Sequence, residues 1–196
     1  MTNALPATMR AVEISAPGGP EVLKPVERPL PAPQAHEVLI KVIAAGINGP
    51  DIMQRKGLYP APAGASDLPG LEVSGEIVAT GANVQRWAAG DKVVALTNGG
   101  GYAEYVAVNA EHCLAVPKGI NMVDAAGLPE TYFTVWSNVF IGAGLKAGET
   151  FLVHGGAGGD VSMRGRRHEP GIVLVLAHGR SAPTSDRGQF LPPNPE

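Results

Sequence analysis

A run of glycines late in the chain has the composition of a phosphate-binding loop. It follows residues 149–154, whose apolar and β-branched side chains predict a buried strand. Glycines let the main chain approach a pyrophosphate, which rests on the amides and positive dipole of the next helix. This order is typical of a dinucleotide-binding unit, although a glycine-rich turn without a ligand has the same composition. The candidate phosphate-binding residues are Gly155, Gly156, Ala157, Gly158 and Gly159.

Residues suited to thiolate, imidazole or hydrolytic chemistry are sparse. Cys113 is the one cysteine, which excludes an internal disulfide and a multi-thiolate zinc site. It lies in an alternating run, residues 105–116, that predicts a small strand residue in preference to a nucleophile. The five histidines form no HExxH pair, and no Gly-x-Ser-x-Gly elbow is present. We therefore expect neither a metal centre nor a hydrolase.

Net charge and hydropathy argue against nucleic acids and membranes as partners. The net charge of −3 and the pI near 6.0 provide no basic face for phosphates, so we expect no nucleic-acid partner. No apolar run approaches the roughly 20 residues needed to span a bilayer, and the first residues lack a signal-peptide pattern. These features predict no membrane association and a cytoplasmic protein.

Two kinds of element must position the candidate residues. Glycine and proline separate short β-rich runs, which predicts a small, irregular all-β barrel. The pattern changes near Met122, where Asp124 is the predicted cap of a helix over residues 131–141 that Gly142 and Gly144 end. The predicted strands are residues 11–14, 37–44, 73–80 and 92–96.

A series of short motifs runs in a fixed order through about residues 9–159. The motifs occupy residues 45–51, 55–60, 69–75, 90–93, 100–105, 125–129 and 154–159. Together they resemble the zinc-free quinone oxidoreductases of the medium-chain dehydrogenase/reductase superfamily, and they are most similar to the tumour-suppressor-inducible type. The resemblance implies a mixed β and α/β fold, in which a GroES-like β-barrel precedes an incomplete Rossmann domain.

The same resemblance implies three regions. Residues 1–123 form the GroES-like domain, and residues 124–159 provide an inter-domain helix, the first Rossmann strand and the glycine loop. Residues 160–196 diverge from the family. Asp160 stands where the family has a further glycine, and glycine and proline interrupt the helix that should follow. The remainder, with five Arg, five Pro and no Lys, is typical of an out-of-frame or alternatively spliced end. In the alternative interpretation, residues 172–177 form a second Rossmann strand and Arg180 lies near a ribose 2′-phosphate.

Two departures from zinc-dependent relatives indicate chemistry without zinc. Those relatives have a cysteine at the position of Asn48 and a histidine at the position of Leu71, and neither replacement is a good zinc ligand. A quinone is electron-poor and can accept a hydride without a Lewis acid, provided that it is held against the nicotinamide. The resemblance therefore implies hydride transfer that depends on positioning.

Family roles can be carried to individual residues. Asn48 corresponds to a residue that contacts the nicotinamide carboxamide or the substrate oxygen, although it could instead satisfy loop backbone groups. Tyr59 corresponds to a wall of the quinone pocket, with loop packing as the alternative. Thr134 corresponds to a nicotinamide contact, with helix packing as the alternative. We expect Asp51 and Arg55 to form an ion pair that holds the loop, and Glu72 to be structural.

The implied activity is NAD(P)H-dependent reduction of a quinone or another small electrophile, with NADPH as cofactor and NADH as the alternative. An activated-alkene or enoyl reductase shares the fold and cofactor, and a non-catalytic barrel fragment is a third interpretation. The chain after Gly159 is too short to complete a doubly wound domain. This predicts impaired activity and argues against a family-type homodimer.

Overall fold

The structure, a computed structural model, describes residues 4–146, 148–154 and 173–177. The chain divides into two compact units, Met1–Trp136 and Ser137–Glu196. The division into three regions, with limits at residues 123 and 159, remains a prediction from the sequence. Among the described residues, no helix is long and apolar enough to cross a membrane.

The first unit is built mainly from strands. Its strands are β1 Thr8–Ile14, β2 Leu23–Pro29, β3 Glu37–Ala45, β4 Glu72–Thr80, β5 Lys92–Leu96, β6 Tyr105–Asn109 and β7 Cys113–Ala115. Its α-helices are α1 Gly49–Arg55, α2 Met122–Ala125 and α3 Pro129–Val135, and short 3₁₀ turns occupy Pro20–Val22 and Ala110–His112.

All strand pairings in this unit are antiparallel. Strands β1 and β2 form a ribbon that meets the rest of the unit through a bridge between Ala11 and Ala103. The other five strands form one sheet in the order β6-β3-β4-β5-β7. Strand β3 lies inside this sheet and shows register shifts at Leu39/Ile40 and Val42/Ala44, which bend the strand as β-bulges do.

The core of the first unit takes in consecutive residues of its central strands, such as Val38, Leu39 and Ile40 of β3. Val38 and Ile40 of β3 point to the same side and are fully buried, as are Val73 and Ile77 of β4. These four residues, which are distant in sequence, belong to one apolar cluster of the sheet. Burial of each such side chain stabilises the fold by roughly 1.5–3 kcal/mol relative to an exposed one.

The sequence-based expectations for this unit hold closely. The four predicted strands coincide with β1, β3, β4 and β5 within a few residues. The alternating run at residues 105–116 is instead two strands, because the 3₁₀ turn Ala110–His112 interrupts it. Cys113 begins β7 and is fully buried, as expected of a strand residue. The pKa of its thiol is raised to about 12, mainly by burial, which disfavours a nucleophilic role.

The helical region differs from the prediction at its start. Asp124 does not cap the helix that carries residues 131–141. It lies inside α2, whose N-cap is Asn121, and the Asn121 side chain accepts a hydrogen bond from the Asp124 backbone N–H at 2.9 Å. The capping prediction was wrong because α2 and α3 are two separate helices, whereas the sequence pattern predicted one helix after Asp124. The predicted end is correct, since a π-helical turn, Trp136–Gly142, follows α3 and stops at a glycine.

The second unit contains a two-stranded parallel sheet. Strand β8, Thr150–His154, pairs with β9, Val173–Ala177, in the register Thr150 to Val173 through His154 to Ala177. Both strands were anticipated from the sequence, β9 through the alternative interpretation of residues 172–177. The prediction that β8 is buried fails at Leu152, which is 49% exposed. The assignment of this pair to a Rossmann domain stays a prediction, and Arg180 lies outside the described residues.

Candidate functional site

The candidate site is built on the loop that joins β3 to α1. Asn48 is the N-cap of α1, and it forms a capping box with Asp51, whose carboxylate accepts a hydrogen bond from the Asn48 backbone N–H at 2.8 Å. Pro50 in the first turn is preset for helical dihedrals, which strengthens this start. The spacing Asn-x-x-Asp therefore specifies the beginning of α1 locally.

Helix α1 ends as sharply as it begins. The backbone N–H of Leu58 donates to the Met53 carbonyl at 2.9 Å, and that of Gly57 donates to the Gln54 carbonyl at 2.9 Å. These two hydrogen bonds are the Schellman pattern, in which the residue after the C-cap adopts a left-handed conformation. Gly57 has φ = +73°, a left-handed conformation that favours a residue without a Cβ. The chain is then directed into the exposed segment that carries Tyr59.

Asp51 is a buried acceptor that joins three segments. Its side chain is almost fully buried, and besides Asn48 it accepts a hydrogen bond from the Gly70 backbone N–H at 3.0 Å and from the Tyr102 hydroxyl at 3.1 Å. Its carboxylate charge is therefore balanced by hydrogen-bond donors. Charge-assisted hydrogen bonds of this kind hold backbone segments firmly in a region of low dielectric.

The Asp51–Arg55 ion pair predicted from the sequence is wrong. Both residues lie in the described part of the chain, and no salt bridge joins them. The Arg55 guanidinium instead donates through Nε to the Gly18 carbonyl at 3.2 Å. Asp51 points into the protein because three donors are available there, whereas a four-residue spacing on a short helix offers only a weak surface pair.

Gly70 brings the next segment against this network. It has φ = +104°, and a Cβ added there would lie 2.6 Å from the Tyr102 backbone nitrogen. The close approach lets the Tyr102 N–H donate to the Pro69 carbonyl at 3.0 Å, and the Thr97 hydroxyl donate to the Gly70 carbonyl at 2.8 Å. A glycine is thus needed for both conformation and space.

Glu72 is the second buried carboxylate of the site. It is 2% exposed, its Oε1 accepts from Asn48 Nδ2 at 2.9 Å, and its Oε2 accepts from the Glu130 backbone N–H at 2.9 Å. Burial raises the pKa of Glu72 and the nearby Asp51 charge adds to this, while the two hydrogen bonds oppose the rise. The expectation of a structural Glu72 was incomplete, because it contacts the Asn48 side chain directly.

The remaining candidate residues lie at exposed positions. Tyr59 is 43% exposed, and among the described residues its hydroxyl has no hydrogen-bond partner. Thr134 is exposed near the end of α3. The glycine loop from Gly155 to Gly159 lies outside the described residues. Among those that are described, no group of His, Cys, Asp and Glu residues could hold a metal ion.

Sequence reasoning missed one contributor to this network and misread another. Tyr102 was not singled out, since a tyrosine in a glycine-rich loop carries no local signal for a buried partner. Asp51 carried such a signal, because its position three residues after Asn48 is the spacing of a capping box. Nothing in the neighbouring sequence indicates that Glu72 reaches Glu130.

Known proteins are similar to this chain in sequence and in fold. Residues 34–118 match the alcohol dehydrogenase GroES-like domain family. Over 154 residues the chain is 42% identical to the quinone oxidoreductase of Lama guanicoe, an alignment that covers 77% of this chain and 46% of that protein. The chain is a quinone oxidoreductase homologue of the medium-chain dehydrogenase/reductase superfamily. This homologue spans about half the length of the curated relatives it matches.

Solved structures share the fold of the homologue across different reaction classes. A quinone oxidoreductase from Pseudomonas syringae pv. Tomato DC3000 is 31% identical with a TM-score of 0.74, covering 89% of this chain and 54% of that one. The CurK enoyl reductase is 26% identical with a TM-score of 0.73, covering 87% and 54%. Solved proteins with this fold therefore include both a quinone oxidoreductase and an enoyl reductase.

Proposed function

We propose that the chain carries the substrate-binding half of an NAD(P)H-dependent quinone reductase that works without zinc. The observation that carries this proposal is the 42% identity to a quinone oxidoreductase over 77% of the chain, which includes the whole Asn48 network. When bound, NADPH supplies the hydride, and a proton from solvent completes reduction of the quinone to the hydroquinone. NADH is the alternative cofactor.

The hydrogen bonding of Asn48 supports a site without zinc. At the position where zinc-dependent relatives place a thiolate ligand, the Asn48 amide donates to Glu72 at 2.9 Å, so a neutral donor faces the carboxylate. An amide nitrogen carries two hydrogens, and one of them remains after this contact. That remaining N–H suits the carboxamide oxygen of a nicotinamide or the carbonyl oxygen of a quinone.

The two other predicted ligand contacts fit the proposal through their exposure. Thr134 lies at an exposed position of α3, where a ligand can reach it. The 43% exposure of Tyr59 argues against simple loop packing and leaves its ring available to stack on a flat quinone. We propose that the phosphates are held at Gly155–Gly159, which lie beyond the described residues.

A second candidate is reduction of an activated alkene such as an enoyl thioester. The similarity to the CurK enoyl reductase at a TM-score of 0.73 favours it, because the same fold holds the same class of acceptor in that protein. In both reactions a hydride reaches an electron-poor carbon or oxygen that is conjugated to a carbonyl group. The two candidates differ in substrate shape and not in the groups described above.

The test is a comparison of substrates at fixed NADPH. Oxidation of NADPH by the purified chain is followed with ortho- and para-quinones, with 2-enoyl thioesters and with simple ketones, and each rate is corrected for the reaction without protein. We expect kcat/KM for the best quinone to exceed that for any enoyl thioester by at least about tenfold, or about 1.4 kcal/mol in transition-state binding. Preference for the thioesters would replace the proposal with the second candidate, and the absence of any turnover would favour a non-catalytic fragment.

A further inference from the structure

One buried carboxylate joins two segments that carry predicted cofactor contacts. Glu72 accepts from Asn48 Nδ2 through one oxygen and from the Glu130 backbone N–H through the other, each at 2.9 Å. Asn48 lies 24 positions before Glu72 in the sequence, and Glu130 lies 58 positions after it. Each oxygen therefore serves a different segment of the first unit.

Helix α3 depends on this contact for the start of its hydrogen bonding. Its N-cap is Leu128, which has no side-chain acceptor, and its first residue is Pro129, which has no N–H. Glu130 therefore provides the first backbone N–H of the helix, and the Glu72 carboxylate accepts it. The capping group that such helices usually take from the N-cap residue comes here from strand β4.

The same helix carries Thr134, four residues after Glu130. Residues four apart lie on the same face of an α-helix, one turn from each other. A carboxylate that fixes the Glu130 amide thereby fixes the first turn of the helix on which Thr134 stands. The other oxygen of the Glu72 carboxylate accepts from the Asn48 side-chain amide. One rigid carboxylate therefore fixes the positions of Asn48 and of the first turn of α3.

The surroundings of Glu72 make this connection rigid. The side chain is 2% exposed, so water does not compete for its oxygens. Among the described residues, the charged and titratable groups that act on it are the Asp51 carboxylate and the Tyr102 phenol, neither of which is a cation. The two N–H donors are thus the main stabilisation of its charge, and loss of either donor leaves an under-bonded buried carboxylate.

We propose that Glu72 is a positioning residue that holds Asn48 and the Thr134-bearing helix α3 in one fixed arrangement for the nicotinamide. The proposal rests on the proposed function for the identity of the ligand. The coupling itself depends only on Glu72, Asn48 and Glu130. A substitution at Asn48 should therefore alter the environment of Thr134, and this effect should depend on the Glu72 carboxylate.

Glutamine at position 72 is the sharpest probe of this coupling. Both partners of Glu72 are donors, whereas a glutamine offers one acceptor oxygen and one donor nitrogen. Glu72→Gln can therefore satisfy Asn48 or Glu130 but not both at once. Glu72→Asp is the second variant, because it keeps the charge while its shorter side chain cannot reach both partners. Val108→Ala, in the core of the five-stranded sheet, is the control for a general loss of stability.

The experiment uses NMR of the 196-residue chain and follows the backbone amides of Glu130 and Thr134. We expect Asn48→Ala to shift both signals in the otherwise native chain. In the Glu72→Gln background, the same substitution should leave Thr134 unshifted. Val108→Ala should leave both signals in place. If Glu72→Gln does not fold, the comparison is made in Glu72→Asp, where we expect the same loss of coupling.

Two outcomes would overturn the proposal. One is that Asn48→Ala leaves Thr134 unmoved in the native background, and the other is that it shifts Thr134 equally whether or not Glu72 is present. A parallel titration with NADPH separates this proposal from the proposed function. If the native chain does not bind NADPH, the proposed function fails for this chain, while the chemical shifts still decide whether Glu72 couples the two segments.

Discussion

The Tyr102 hydroxyl donates a hydrogen bond to the buried Asp51 carboxylate at 3.1 Å, across 51 positions of sequence. Burial raises the pKa of Tyr102, and the Asp51 charge raises it further, so the phenol stays protonated and remains a donor at ordinary pH. The contact fastens a glycine-rich loop to the first turn of α1. Removing this hydrogen bond therefore tests how much the Asp51 network stabilises the fold.

Removal of this hydroxyl should be costly. We expect Tyr102→Phe to lower the free energy of unfolding by about 1–3 kcal/mol, because a buried carboxylate loses one of its donors. The measurement is equilibrium urea unfolding. Tyr105→Phe is the matched control, since the Tyr105 hydroxyl has no hydrogen-bond partner among the described residues, and it should be nearly neutral. Equal losses in the two variants would mean that the contact with Asp51 contributes nothing specific.

Replacement of Gly70 by alanine should destabilise the fold more than the same replacement at Gly64, which also has a positive φ but has open space around it. Gly70→Ala places a Cβ against the Tyr102 backbone at φ = +104°, whereas Gly64 has φ = +81° and nothing within 4 Å of the added atom. We expect Gly64→Ala to cost about 1–2 kcal/mol from conformation alone. Gly70→Ala should cost clearly more in thermal or urea unfolding. Similar losses would show that the close approach to Tyr102 relaxes freely.

Cys113 should make the fold sensitive to alkaline pH. Burial raises the pKa of its thiol from 9.0 to about 12, so its contribution to stability is fully present below the unfolded pKa. That contribution is lost as pH rises from about 9 through the folded pKa, by up to roughly 1.4 kcal/mol per pH unit. Urea unfolding of the native chain and of Cys113→Ala is compared from about pH 8 to pH 11. The native chain should lose more stability over this range, and parallel curves would contradict the prediction.

Tyr59 should affect quinone turnover without affecting the fold. Because its side chain is 43% exposed, we expect Tyr59→Ala to change unfolding free energy by no more than about 0.5 kcal/mol. If the ring stacks on the substrate, kcat/KM for quinones should fall by about tenfold. Tyr59→Phe separates the ring from the hydroxyl, and Leu58→Ala is a control at a neighbouring exposed side chain. Parallel losses of stability and turnover would identify Tyr59 as a packing residue.

Cofactor affinity should be weak in this chain. We expect NADPH to bind at least about tenfold more weakly than to a longer relative such as the human quinone oxidoreductase, a difference of about 1.4 kcal/mol. The reason is that an acid, Asp160, stands directly after the glycine run, at the position where the resemblance implies a further glycine. Titration of NADPH fluorescence measures both affinities. Micromolar binding with robust quinone reduction would instead support a nucleotide site built with residues 172–177 and Arg180.

Local sequence determined the elements of the first unit well. Short β-rich runs separated by glycine and proline predicted β3, β4 and β5 almost to the residue, because β-branched and apolar side chains favour strands while glycine and proline interrupt them. The spacing of Asn48 and Asp51 likewise contains the start of α1. Such features depend on neighbours within a few positions, and a short stretch of chain is enough to specify them.

What only the tertiary structure decided is which groups the buried acids contact. Asp51 reaches Gly70 and Tyr102 at separations of 19 and 51 positions, and Glu72 reaches Glu130 at 58. A carboxylate's preference for N–H and O–H donors is known from its chemistry, but the identity of the donors depends on which loops the packed sheet brings together. The predicted Asp51–Arg55 pair failed for this reason. A short-range spacing on the surface competed with the local Asn48 N–H and with two distant donors, at Gly70 and Tyr102, that meet Asp51 only after the strands have packed and excluded water.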